Sequence, residues 1–165
     1  MRLSQIIATV GGIGYLRPAP GTWGSVVALP MGWALHVTGG PWLLLIGVLL
    51  SVIIGLWATV KETQGTDNPD PSEIVIDEVA GQWIALLPLS FGAWHAGAAI
   101  TALWPGWVAA FVLFRLFDIA KPGPVGWADR RGDALGVMLD DVIAGLFAAL
   151  GVALLAGFSH GVLGL

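Results

Sequence analysis

Charged residues occupy only three windows of this 165-residue chain, and long apolar stretches lie between them. The seven Lys and Arg and the eleven Asp and Glu all fall within 1–17, 61–78 and 115–141. The apolar intervals 18–60 and 79–114 each contain turn-forming residues near their middle, "TGGP" in the first and "SFGAWHAG" in the second. Each interval is therefore predicted to form a helical hairpin that leaves the charged end and returns to it.

The pattern predicts five main helices, at 24–37, 42–60, 74–89, 97–119 and 134–157. A helix needs about 20 residues to cross a bilayer, so the second, fourth and fifth are long enough, whereas the first and third are short and are expected to be tilted or buried. Pro105 is predicted to kink the fourth helix. Residues 3–16 are interpreted as a short retained helix rather than a signal peptide, because glycines interrupt the apolar run.

The composition indicates that a chain with this pattern is a membrane protein. The chain is 56% hydrophobic and 11% charged, whereas a soluble domain is about 25% charged. We therefore predict one all-α, multi-pass membrane bundle over 1–165. The absence of cysteine excludes disulfides and thiolate chemistry, and a net charge of −4 does not indicate a nucleic-acid partner.

The hairpin topology places every charge at one end of the bundle. All Lys and Arg lie there, which predicts that this end faces the cytoplasm by the positive-inside rule. Topology alone does not require the eleven carboxylates that share that end, so they indicate a site. His36, His95 and His160 are expected at the opposite end, which argues against a phosphohistidine mechanism.

Two similar acid pairs stand out, Asp77 and Glu78 in "IDEVAG" and Asp140 and Asp141 in "LDDVIAG". Each pair is followed one turn later by small residues, which predicts two closely packed helices that present both pairs to one point. Unpaired acids in a membrane are costly, and four together would repel and take up protons. Magnesium prefers carboxylate oxygens, so a metal site is the favoured interpretation; for the first pair, stabilisation by the helix dipole is the alternative.

Basic residues accompany the acids in "FRLFDIAKPGP", where Arg115, Asp118 and Lys121 are spaced i, i+3, i+6. Arg and Lys suit phosphate oxygens, and Asp suits a metal; an internal ion-pair ladder is the alternative. Asp129 is expected to reach the site from the following loop, and Asp133 is expected to cap the last helix.

The segment "PAPGTWGS" is a candidate anion site. Thr22 or Ser25 is predicted to cap the helix that begins here, the free N–H groups of its first turn suit phosphate, and Gly21 permits close approach of a ligand. A plain turn and helix cap is the alternative. An acid-rich, metal-dependent site without an obvious strong nucleophile suits displacement at phosphorus by a metal-activated water.

The motifs "PGTWGS", "DEVAG", "RLFDIAKPGP", Asp129 and "GVMLDDVIAG" occur in an order that resembles the phosphatidylglycerophosphatase A family, over about residues 18–146. The resemblance implies a magnesium-dependent phosphatase of the bacterial inner membrane that converts phosphatidylglycerophosphate to phosphatidylglycerol, with no nucleotide cofactor. The positions that match are Gly21, Thr22, Ser25, Asp77, Glu78, Gly81, Arg115, Asp118, Lys121, Pro122, Asp129, Asp140 and Asp141. Gln82 departs from the family, which often has Met there.

The matched positions imply a division of roles. We hypothesise that Asp77, Glu78, Asp140 and Asp141 hold one or two Mg²⁺ ions, with help from Asp118 or Asp129, while the basic and glycine-rich segments bind substrate. Two other functions remain open. A headgroup phosphotransferase would need the Asp-x-x-Asp-Gly run of that class, which is absent, and an ion transporter would need ionisable residues along the whole membrane depth, whereas 79–114 and 142–165 carry no charge.

Overall fold

A computed structural model describes residues 1–68 and 70–159, and these residues form helices and connecting turns without any strand. Six α-helices follow one another: α1 (Leu3–Ala8), α2 (Pro20–Thr63), α3 (Ile76–Ala96), α4 (Trp104–Ala120), α5 (Pro124–Asp129) and α6 (Ala134–Phe158). Two short 3₁₀ helices, Ile13–Tyr15 and Ile100–Leu103, precede α2 and α4. The prediction of an all-α bundle is confirmed.

Helix α2 is a hairpin of two arms rather than one rod. The backbone leaves helical geometry at Gly39 and at Gly40, whose φ of 65° is in the left-handed region that glycine tolerates. A Cβ built on Gly40 would lie 2.8 Å from the Trp94 ring near the end of α3. The two ends of the hairpin that lie away from this turn contact the start of α3. Gly24 of the first arm packs on Val75, and Gly55 of the second arm packs on Ile76. The predicted turn at "TGGP" is confirmed.

Helix α3 forms the centre of the bundle. Residues on several of its faces are buried, including Val79, Trp83, Leu86 and Ala93, because α2, α4 and α6 all pack on it. The Trp83 indole N–H donates to the Ala28 carbonyl of α2 at 2.8 Å, which ties the first arm to this core.

The prediction that α3 ends near residue 89 is wrong. The helix continues through Ala96 and ends at Gly97, which has a φ of 61°. Ser90 is fully buried and its hydroxyl lies 2.6 Å from His36 Nδ1 of α2. Tertiary contacts of this kind hold "SFGAWHA" in the helix although its glycine and serine disfavour helical structure.

The predicted kink at Pro105 is also wrong, because Pro105 lies in the first turn of α4 rather than in its interior. A proline at this position stabilises a helix start, since its ring presets φ and the first turn has no use for its missing N–H. The chain before it, Ile100–Leu103, forms the separate 3₁₀ turn.

The outer surface of the bundle suits hydrocarbon. Three segments are long and apolar enough to cross a membrane: Pro20–Thr63, Ile100–Ala120 and Ala134–Phe158. Large apolar side chains such as Ile53 and Leu154 are about two-thirds exposed, at 65% and 66%, which water would disfavour and lipid would not. The protein is therefore a polytopic membrane protein.

Its charged residues gather at one end, as predicted. Arg2 pairs with Glu62 at 2.9 Å, and Arg17 donates to Ser72 at 3.2 Å, so the first two charged windows meet. His95 lies in the last turn of α3, at the opposite end of that helix from its acid pair. The prediction for His160 lies outside the described residues.

Candidate metal and phosphate site

A cavity of about 290 Å³ opens at the charged end of the bundle, where the starts of α2, α3 and α6 meet the end of α4. Its lining combines six carboxylates with one arginine and one lysine. The lining residues are Ala19, Pro20, Gly21, Asp70, Ser72, Ile74, Asp77, Glu78, Arg115, Asp118, Lys121, Val137, Asp140 and Asp141.

The crossing of α3 and α6 brings the two acid pairs together. A Cβ on Gly81 would lie 2.6 Å from the Asp141 carbonyl oxygen, and a Cβ on Gly145 would lie 3.0 Å from the Gly81 Cα. The two helices therefore touch at a glycine pair, the arrangement that small residues permit in membranes. Asp77 precedes Gly81 by one turn and Asp141 precedes Gly145 by one turn, so both carboxylates lie beside the crossing.

Five carboxylates form two overlapping clusters. In each cluster, one carboxylate oxygen per residue lies within 4.8 Å of the others: Asp77, Glu78 and Asp141 form one, and Asp118, Asp140 and Asp141 form the other. Asp141, which is 3% exposed, belongs to both. The predicted convergence of the four paired acids is thus seen, and Asp118 joins them.

Two of these carboxylates have oxygens that lack a hydrogen-bond partner. Asp77 Oδ1 and Glu78 Oε2 are buried and unpartnered within the part of the chain that the structure describes. A buried, unpartnered carboxylate oxygen carries a large desolvation cost, and a divalent cation would remove it. Because hard cations take oxygen ligands of this kind, the residues fit a magnesium site.

Lys121 links the cluster to the loop after α4. Its ammonium donates to Asp129 Oδ1 at 2.7 Å and to Asp140 Oδ2 at 2.6 Å. Partial burial alone would lower the pKa of Lys121, but the hydrogen bonds to these two carboxylates outweigh it and raise the pKa above its usual range. Lys121 is therefore a cation at every physiological pH. Asp129 contacts this lysine and does not itself line the cavity.

Arg115 supplies the second positive charge. Its Nη1 lies 2.6 Å from Asp118 Oδ2, one turn further along α4, and both side chains are mostly buried. The same Arg115 atom would lie 3.4 Å from a Cβ built on Gly21, and that Cβ would collide with the Glu78 carboxylate. Gly21 thus leaves the space in which an arginine and a glutamate from two other helices approach the start of α2.

The start of α2 differs from its prediction. The helix begins at Pro20, and neither Thr22 nor Ser25 caps it; the Ser25 hydroxyl donates instead to the Gly21 carbonyl at 3.0 Å. Neither of them lines the cavity, whereas Gly21 does. The first turn of a helix has N–H groups without an intrahelical acceptor; because Pro20 has no N–H and the Trp23 N–H donates to the Ala19 carbonyl, the free groups of α2 are those of Gly21 and Thr22.

Asp133 caps α6, as predicted. Its Oδ1 accepts the Gly136 backbone N–H at 2.7 Å, and hydrogen bonds from Arg131 and from that N–H hold the pKa of Asp133 below its usual range. The cap begins α6 seven residues before Asp140, so it sets where this acid pair lies along the helix.

Sequence reasoning missed two polar lining residues, Asp70 and Ser72, in the loop between α2 and α3. Arg17 donates to the Ser72 hydroxyl, which connects this loop to the segment before α2. The polar run "TDNPDPS" was the available signal, but it has neither helical spacing nor a partner motif, so it reads as an ordinary loop.

Comparisons with known proteins identify related sequences. The family model described as Phosphatidylglycerophosphatase A matches residues 6–156. The chain is 36% identical to "Phosphatidylglycerophosphatase A" of Escherichia coli over 88% of this chain and 78% of that protein. It is also 36% identical to the Haemophilus influenzae protein of the same name, over 88% of this chain and 84% of that one.

A third relative carries a different name. A Bacteroides thetaiotaomicron protein named "Putative phosphatidylinositol-3-phosphatase" is 34% identical over 92% of both chains. No solved structure matches the chain. Because the family model and the relatives cover most of its length, this chain belongs to the phosphatidylglycerophosphatase A family.

Proposed function

We propose that this protein hydrolyses the terminal phosphomonoester of phosphatidylglycerophosphate and releases phosphatidylglycerol, at the cytoplasmic face of a bacterial inner membrane. The observation that carries the proposal is one cavity in which buried, unpartnered carboxylate oxygens face two cationic side chains. The names of the two 36% identical relatives support the choice of substrate.

The acids take the metal-binding role in this proposal. Asp77, Glu78, Asp140 and Asp141 would hold Mg²⁺, and Asp118 completes the second cluster. Magnesium bound there would polarise the phosphomonoester and lower the pKa of a water. Because Asp141 belongs to both clusters, its loss affects every arrangement of one or two ions.

The basic residues and the start of α2 take the phosphate. Arg115 and Lys121 neutralise the negative charge that grows on the phosphoryl oxygens in the transition state. The free N–H groups in the first turn of α2 add donors that suit phosphate. A carboxylate of the cluster accepts a proton from the attacking water as the new bond from its oxygen to phosphorus forms. The bond from phosphorus to the glycerol oxygen breaks, and that oxygen takes up the proton, so the products are inorganic phosphate and the alcohol of phosphatidylglycerol.

The position of the site favours a lipid substrate over a soluble phosphate ester. The cavity lies at the end of apolar, membrane-spanning helices, so a phosphate held there is at the level of the lipid headgroups. The acyl chains of a phospholipid then stay in the bilayer while its phosphate enters the site.

The test is phosphate release from phosphatidylglycerophosphate by the purified protein in detergent, with Mg²⁺ or with EDTA. Release is expected only with Mg²⁺. Asp141→Asn is expected to lower turnover by several orders of magnitude while the protein elutes and melts as the parent does. Asp67→Asn is the matched control, because it removes an exposed carboxylate outside the cavity, and it should retain the parent's turnover.

Two results would contradict the proposal. Phosphate release that persists in EDTA would exclude the metal-binding role, and unchanged turnover of Asp141→Asn would exclude its place in the site. Phosphatidylinositol 3-phosphate should be assayed in parallel because of the name of the third relative. A higher kcat/KM with that lipid would replace the proposed headgroup and leave the phosphatase chemistry in place.

A further inference from the structure

A second cavity, wide open to the outer surface, lies in the membrane-spanning part of the bundle, between the first arm of α2 and the start of α4. Its volume is about 370 Å³ and its wall is almost entirely apolar. The lining residues are Leu29, Pro30, Trp33, Thr101, Trp104 and Trp107. The Trp107 indole N–H donates to the Ile100 carbonyl at 3.0 Å, and this hydrogen bond holds the orientation of the ring in the lining.

Two helical stripes connect this cavity to the phosphate site. On α4, Trp104, Trp107, Phe111 and Arg115 are spaced i, i+3, i+7, i+11, which places them on one face. The first two line the apolar cavity, and Arg115 lines the charged one. Phe111 between them is half-buried.

The first arm of α2 repeats the pattern. Thr22, Val26, Pro30 and Trp33 share a face at i, i+4, i+8, i+11, and Thr22 directly follows Gly21, which lines the charged cavity. Val26, Pro30 and Trp33 are exposed in the protein alone. Both stripes therefore run from the charged end of the bundle to the apolar cavity, and together they are called the apolar track.

The track has the length and direction of a lipid tail. Eleven residues separate Trp104 from Arg115, and twelve separate Gly21 from Trp33, which corresponds to roughly 16–18 Å along each helix at 1.5 Å per residue. It follows the segments that cross the membrane, so it runs from the level of the headgroups into the hydrocarbon.

We propose that one acyl chain of the substrate lies along this track and ends in the tryptophan-lined cavity. This proposal rests on the proposed lipid phosphatase function. Bulk lipid is as apolar as the track, so the gain is not hydrophobic transfer; it is van der Waals packing that orients the headgroup towards Arg115. Continuity with the phosphate site identifies the substrate's own chain, rather than any bilayer lipid, as the occupant.

The test is to fill the cavity and compare long-chain with short-chain substrate. Leu29→Trp and Thr101→Trp place an indole in the lining from opposite sides. For each, the ratio of kcat/KM for dioleoyl to dihexanoyl phosphatidylglycerophosphate is expected to fall on the order of tenfold or more, the scale of small steric changes in apolar pockets. Leu154→Trp, exposed on α6 outside the track, is the control and should keep the parent's ratio.

A ratio that stays at the parent's value in both filled variants overturns the acyl-chain track while the phosphatase function stands. If the parent releases no phosphate from either lipid, the proposed function is contradicted. Crosslinking then tests separately whether an acyl chain lies along the track. A phosphatidylglycerophosphate with a terminal diazirine on one acyl chain should label peptides containing 29–33 and 101–107 in the parent protein. Labels spread evenly over all lipid-facing helices would overturn the track.

Discussion

At the scale of single residues, Lys121 has an unfavourable backbone conformation, and its side chain contacts two carboxylates of the site. It ends α4 with a φ of 46° and a ψ of 53°, the left-handed region that residues with a Cβ seldom adopt. Its N–H donates to the Phe117 carbonyl at 2.9 Å, and Gly126 leaves room for its carbonyl oxygen. This conformation directs the ammonium between Asp129 and Asp140.

Replacement of Lys121 by Met removes the charge and keeps much of the side chain's length. We expect kcat to fall by about 10²-fold or more, the typical loss when one donor to a transition-state oxyanion is removed. Steady-state phosphate release measures this loss. Lys121→Arg should recover part of the activity because the charge returns; equal loss in both variants would indicate that the lysine only holds the loop.

Gln82 is a second residue with an unusual environment. It is fully buried, and neither atom of its side-chain amide has a partner among the described residues. Met has a similar shape without polar atoms, and a buried unpaired polar group costs about 1–3 kcal/mol. Gln82→Met is therefore expected to raise the unfolding temperature in detergent, followed by intrinsic tryptophan fluorescence. A lower unfolding temperature would mean that the amide has a partner, such as a water.

At the scale of helices, the contact of α3 with α6 determines the spacing of the carboxylates. The glycine pair at the crossing allows the two backbones to approach closely. Because the acid pairs lie one turn away, this approach also brings their carboxylates close to one another. Any side chain at Gly81 would meet the Phe114 ring as well as the Asp141 carbonyl, so the two helices would have to separate.

Gly81→Val should therefore impair stability and activity together. Overpacking of a tight contact typically costs about 1–3 kcal/mol, and displacement of Asp141 should reduce turnover by at least tenfold even in folded protein. Thermal unfolding and phosphate release measure the two effects. Gly92→Ala in the same helix is the control, since a Cβ there meets nothing within 4 Å; comparable losses in both variants would argue against the crossing.

At the scale of the whole molecule, all charged windows lie at one end, and the positive-inside rule predicts that this end faces the cytoplasm. The absence of cysteine makes orientation measurable, because any thiol signal must come from an introduced residue. Asp67 lies in the α2–α3 loop at the charged end, and Ala99 follows α3 at the other end; both are exposed.

Asp67→Cys should react with a membrane-impermeant maleimide only in inverted vesicles, and Ala99→Cys only in intact spheroplasts. Equal labelling after the membrane is dissolved confirms that both thiols are reactive. The reverse pattern would place the site on the outer face and contradict the predicted orientation.

The amino-acid sequence alone was sufficient to predict the helical bundle, its charged end and most of the acids that line the cavity. These follow from properties that are local along the chain: apolar runs long enough for hydrocarbon, charges confined to three windows, and an acid pair followed by a glycine in each of two helices. Asp133 was likewise identified as a cap, because a cap depends on the few residues that follow it.

Which side chains come into contact depends instead on how the helices pack in three dimensions. The end of α3 and the start of α4 at Pro105 depend on packing partners that are distant in sequence. The local turn residues therefore predicted both helix boundaries incorrectly. The two carboxylate clusters that share Asp141, the contact of Lys121 with Asp129 and Asp140, and the inclusion of Asp70 in the cavity depend on how helices cross. A crossing is set by side chains from different segments, and no single segment contains that information.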